Sequence, residues 1–282
     1  MKWKDLKKHI DWIKVEDEII AHQAKFISTD RLRTANKLVH DAAEYFLPLD
    51  LKWFKITGIE KEYEYTYSSE LIPDRGIIDL IFEIKTDAGK PYKDYVGETL
   101  VVDWKSTGGE LNTDWRNRYI PSWQWKRYAE ATKAKLFEYR GVSTKTYFDG
   151  QGYKQVCGPI IIEVPENNSI NVQTDYKATQ YSKLGISDLS VYPRNAPSAC
   201  YKFGETCPEK EDCDTFAMPQ EKLVNIKHAS YSSDELFKLC PEKYRRYKLR
   251  GVKEEDYESN SFLGTMFHRG IAEVYKQIKE EN

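Results

Sequence analysis

Two apolar runs, GIIDLIFEI at 76–84 and ETLVVDWKS at 98–106, constrain this chain more than any other feature. Their continuous apolar character predicts a pair of buried β-strands, and TDAGKPYKD between them supplies the turn formers of a hairpin. Each run is interrupted by an acid, Asp79 in the first and Asp103 in the second. Carboxylates are uncommon inside buried strands, so both positions call for a chemical reason. Side chains on a strand alternate with period two, which puts Asp103 and Lys105 on one side. Pairing of the strands would bring Asp79 beside them. Two carboxylates and an amine at a strand edge form a hard-cation site with an electrostatic partner for a reacting oxygen, an arrangement suited to phosphodiester hydrolysis.

The surrounding pattern sets the fold class. Leu6, Ile10, Ile13, Ile19, Ile20 and Phe26 recur at helical spacing through residues 1–47, and 34–47 form a second amphipathic stretch carrying His40. KEYEYTYS at 61–68 alternates as a strand does, and residues 121–135 read as a helix opened by proline, with Ser122 as its cap. LFEYRGVSTKTYF and QVCGPIIIEVP supply two further strands. The order helix, antiparallel strands, helix, strand predicts an α/β fold with a mixed central β-sheet flanked by helices. Composition shifts after about residue 190. The expected divisions are therefore a core at 1–190, a cysteine-rich loop at 191–227 and a C-terminal helical segment at 228–282.

With 43 basic and 45 acidic residues the net charge is -2, so no global polycation signals nucleic acid. An acidic metal site with local basic patches is compatible with that balance. The 13% aromatic content, including 20 tyrosines, excludes a disordered chain. No apolar run approaches the roughly 20 residues that span a membrane, and the charged start lacks a signal-peptide core. A cytoplasmic protein with no membrane partner is expected. In that compartment the five cysteines would be thiols or metal ligands rather than disulfides. No G-x-x-x-x-G-K-S/T run is present, which argues against an ATP-driven motor.

Order and context sharpen the strand pair. A helix carrying His40 precedes the G-x-x-D of Gly76–Asp79, then D-x-K at Asp103–Lys105, then Q-x-x-x-Y at Gln124–Tyr128. This series resembles the PD-(D/E)XK nuclease superfamily, in particular its RecB-type and CRISPR-associated exonuclease branch. The resemblance implies a restriction-endonuclease-like core and a Mg²⁺- or Mn²⁺-dependent deoxyribonuclease. It further implies an exonuclease or end-processing enzyme of DNA recombination, repair or phage replication. Asp79 and Asp103 would hold the metal, with His40 as a further ligand. Lys105 would orient the attacking water or stabilise charge in the transition state. Gln124 and Tyr128 would steady the active-site face and touch the DNA backbone. DNA is the implied partner, with a helicase or recombination protein, or a second copy of the chain, as a further one. The alternative is a non-catalytic nucleic-acid-binding or assembly module that keeps the nuclease fold.

Cys200, Cys207 and Cys213 lie close together in a proline- and glycine-bearing segment, which suits thiolate coordination of iron–sulfur or zinc. Several RecB-type nucleases hold an iron–sulfur cluster with three cysteines after the core and one before it, but here no cysteine precedes Asp79. The partners left are Cys157, inside a predicted strand, and Cys240, the stronger candidate for fourth ligand of a four-iron four-sulfur cluster or of Zn²⁺. The Cys240 segment, with the following FLGTMFHRG, resembles the Cys-Pro and G-x-x-x-H helices that open many RecB-type nucleases. Here that segment comes last. A circular permutation, a second copy cut short, and a helical arm for dimer exchange are the competing explanations. Under permutation His268 rivals His40 for the metal-proximal position.

Overall fold

The computed structural model describes residues 2–21, 28–69, 71–148, 154–184, 229–244 and 260–281. The chain is α/β, built on a five-stranded mixed sheet. Its spatial order is β1 (Phe54–Tyr65), β2 (Asp74–Ile84), β3 (Thr99–Thr107), β4 (Leu136–Phe148) and β5 (Lys154–Glu163). Strands β2 and β3 are antiparallel, β3 and β4 parallel, and β4 and β5 antiparallel. The parallel β3–β4 step needs a crossover. Helices α4 (Thr113–Tyr119) and α5 (Trp123–Thr132) provide it. The segments predicted as strands at 76–84, 98–106, 136–148 and 155–165 fall on β2 to β5. The alternating 61–68 stretch covers only the end of β1, which begins at Phe54.

Before the sheet come α1 (Trp3–Leu6), α2 (Trp12–Ile20) and α3 (Thr29–Trp53). Ser28 opens α3 by accepting the Arg31 N–H, and the helix continues past Pro48 to Trp53. After the sheet come α6 (Asn168–Leu184), α7 (Tyr231–Leu239), α8 (Pro241–Tyr244) and α9 (Asn260–Glu281). Alternation along β3 divides the core in two. Leu100, Val102 and Trp104 pack with α2, α3 and α9, whereas Val101 packs with α4 and α5. Helix α9 lies very close to its neighbours at Gly270, where a Cβ would meet Val39 Cγ2 at 2.7 Å and Ile19 Cγ1 at 2.8 Å.

A buried ionic cluster joins three of these elements. Arg140 of β4 clamps Asp50 of α3 through two bonds of 2.6 and 2.8 Å. Its Nε donates to Glu138 at 3.0 Å and its Nη1 to Tyr275 Oη of α9 at 3.1 Å. Tyr92 donates to the other Glu138 oxygen at 3.1 Å. All three charged side chains are 1–3% exposed. Burial pushes the Glu138 carboxyl above its ordinary range; the Asp50 charge adds to this, and Arg140 opposes it.

The described chain separates into two compact units. One comprises Met1–Tyr63, Ile77–Asn168 and Glu258–Asn282; the other comprises Glu64–Gly76 and Ser169–Tyr257. These divisions differ from those expected at 190 and 228: α9 belongs with the sheet, and α6 does not. Within the second unit Tyr67 packs on Tyr176 at 4.4 Å, and Asp234 is buried against Lys183 and Gln180. Helix α7 starts at a reciprocal Ser230–Ser233 capping box.

Candidate active site

Strand alternation creates the first half of the site. Asp103 points to the α4–α5 side of β3, and Lys105 returns to that side with Nζ 2.5 Å from Asp103 Oδ2. The Lys105 ammonium lies 5.6 Å from the ring centre of Tyr139 and 5.9 Å from that of Tyr119. Helix α5 starts at Ser122, whose hydroxyl accepts the Gln124 N–H. That start places the Gln124 side chain over β3, where Nε2 donates to Asp103 Oδ1 at 2.9 Å and to Tyr128 Oη at 3.3 Å. The i,i+4 spacing keeps Gln124 and Tyr128 on one helix face.

Asp79 completes the site from a break in the strand ladder. The β2–β3 register runs from Glu83–Thr99 to Leu80–Val102. At the next step the Asp79 carboxylate itself accepts the Trp104 N–H through Oδ2 at 2.7 Å. Its Oδ1 lies 3.3 Å from Nδ1 of His268 on α9. Gly264, one turn before His268, lets α9 approach β3, since a Cβ there would sit 3.3 Å from Ser106 Oγ. Side-chain exposure is 4% at Asp103, 18% at Asp79, 21% at Lys105 and 32% at His268, so the group is most open at His268.

Asp79, Asp103, Lys105, Gln124, Tyr128 and His268 thus converge. His40 does not join them. Its neighbours Leu38, Val39, Ala42 and Ala43 take the inward face of α3, so His40 points outward and stacks on Trp12 at 3.7 Å and 16°. Of the two rival histidines, His268 is the one that lies beside Asp79. Cys200, Cys207 and Cys213 lie outside the described residues. Cys240 is a half-buried thiol at the end of α7. The sequence reading missed the Trp104 N–H and the Tyr119 and Tyr139 rings around Lys105. A backbone donor leaves no mark in sequence, and tyrosine is too frequent here to single out.

Burial raises Asp103 to about 6; Lys105 opposes this, and the neighbouring Asp79 charge adds to it. Burial works on Asp79 in the same direction, but His268, the Trp104 N–H and Lys105 outweigh it and hold that carboxyl below its usual range. For Lys105 and His268 desolvation is overcome by the two carboxylates, and both are raised. Asp103 Oδ2 is buried, and its partner is the Lys105 ammonium. Two adjacent carboxylates are the hard oxygen ligands that a divalent cation takes up. Among the described residues no three His, Cys, Asp or Glu side chains form a ready-made cage. Mg²⁺ does not require one, because it binds through one or two carboxylates plus waters and substrate phosphate.

No protein-family model matches the chain, and no curated protein matches its sequence. No helix among the described residues is long and apolar enough to cross a membrane.

Proposed function

We propose that the chain is a metal-dependent deoxyribonuclease with a restriction-endonuclease-like core of the RecB type, trimming DNA ends by phosphodiester hydrolysis. The observation that carries this reading is the convergence of Asp79 on β2 with Asp103 and Lys105 on β3, with Gln124 bound to Asp103. Asp79 and Asp103 would hold Mg²⁺ or Mn²⁺, which when bound supplies Lewis acidity toward a water and the scissile phosphate. Lys105 sets a fixed ammonium where negative charge builds on the phosphoryl oxygens, and its ion pair with Asp103 keeps it there without reorganisation. Gln124, bonded to Oδ1, and Lys105, paired with Oδ2, hold the Asp103 carboxylate in one rotamer. His268 and the Trp104 N–H do the same for Asp79.

The test is metal-dependent cleavage of linear DNA. Asp103→Asn and Lys105→Ala should each lower the rate by about 10²–10³-fold while circular dichroism and melting temperature stay near wild type. Undiminished Mg²⁺- or Mn²⁺-dependent cleavage by both variants would overturn the mechanism.

A further inference from the structure

We infer that a cavity bordered by α4, two strands from Lys105 on the same sheet face, is a subsite for one unpaired nucleotide of the substrate strand near the scissile phosphate. This rests on the nuclease reading and adds a strand preference to it. The cavity is about 260 Å³, with Leu111, Asn112, Thr113, Arg116, Gly158 and Pro159 in its walls. Its place follows from strand register. Lys105 pairs with Gly141 on β4, and Gly141 pairs with Gly158 on β5. Residues aligned in this way share a sheet face, so the cavity floor lies on the side of Asp103 and Lys105, two strands or about 10 Å away. A Cβ at Gly141 would meet Leu111 and Trp115 at 2.6 Å, so α4 and its lead-in press directly on that face. Helix α4 links the two places: Tyr119 lies against Lys105, and Arg116, one turn earlier, lines the cavity.

Size and chemistry select the occupant. The volume falls just below the roughly 300–1,000 Å³ of small-molecule sites, enough for one nucleoside and too little for a base pair. Leu111 and Pro159 offer apolar surface. Asn112 uses Oδ1 to accept the Trp115 N–H, and its amide donors have no partner among the described residues. Arg116 donates Nη2 to Pro159 O at 3.2 Å, and its other N–H groups have no partner among the described residues. Amide and guanidinium donors beside an apolar wall match the base edge and phosphate of a single nucleotide.

Steady-state cleavage of single-stranded and blunt duplex DNA by wild type, Arg116→Ala and Thr113→Glu tests the subsite. Arg116→Ala should raise KM about tenfold on the single strand. Thr113→Glu, which adds a carboxylate at the cavity while suiting the first turn of a helix, should also raise it. Both should shift the duplex KM far less. Equal losses on both substrates, or no change on either, would overturn the subsite. Failure of the nuclease reading looks different, because wild type itself would then cleave neither substrate. Fluorescence anisotropy with a labelled single strand then decides: affinity that falls in Arg116→Ala supports the subsite, and affinity indifferent to Arg116 removes it.

Discussion

Asp103 is the most deeply buried carboxylate of the site. Its side chain is 4% exposed, one oxygen takes the Gln124 amide, and the other takes the Lys105 ammonium. Such a group is costly to ionise, which is why it sits at about 6 rather than in the usual carboxylate range. Asp79 differs because a backbone N–H and an imidazole both favour its charged form. The partner histidine is therefore a discriminating residue. His268→Ala should lower metal-dependent cleavage by about 10–100-fold, the usual cost of losing a group that orients a metal-binding side chain. His40→Ala, which removes a ring stacked on Trp12 away from the site, should stay within about twofold. The same cleavage assay, titrated in Mn²⁺, reads both.

At the level of elements, α9 is the helix on which the site depends. It contributes Met266, Phe267, Ile271, Val274, Tyr275 and Ile278 to the core as well as His268 to Asp79. Its closest packing is at Gly270. Alanine in an open helix position is better than glycine by up to about 1 kcal/mol. At Gly270 the added methyl would meet Val39 and Ile19 below 3 Å, and overpacking of this kind costs about 1–3 kcal/mol. Gly270→Ala is therefore expected to lower the urea midpoint despite its better helix propensity, and an unchanged or raised midpoint would contradict the packing described.

On the scale of the whole molecule, the sheet-bearing unit is assembled from three separate stretches of chain. The Asp50–Arg140–Glu138 cluster, with Tyr275 and Tyr92, ties α3, β4, α9 and the β2–β3 connection together at its centre. One guanidinium faces two buried carboxylates, and Glu138 binds its proton more tightly in the folded chain than in the unfolded one. A carboxyl raised in this way contributes stability that is complete below its ordinary value of 4.5 and is lost as pH rises through its folded value. Wild type should accordingly lose stability relative to Glu138→Gln as pH increases above about 4.5. Chemical denaturation of both proteins across acid and neutral pH checks the sign.

Local spacing made much of this legible. The period of two places Asp103 beside Lys105, the i,i+4 step places Gln124 beside Tyr128, and the apolar runs mark β2 to β5. The same locality explains what was missed. Residues 137–140 alternate apolar and charged, with nothing to say that Arg140 faces a buried partner 90 residues earlier. LVHDAAEYF and MFHRGIAEVY look alike as helices, and only packing tells them apart. Sequence by itself thus determined the strand pair, its acids and its lysine, because those contacts are fixed by the geometry of neighbouring residues along the backbone. Tertiary structure alone decided that His268 rather than His40 meets Asp79, that α9 joins the sheet, and that a nucleotide-sized cavity lies two strands from Lys105. Each of these depends on which distant surfaces exclude water from one another, and no local period encodes that.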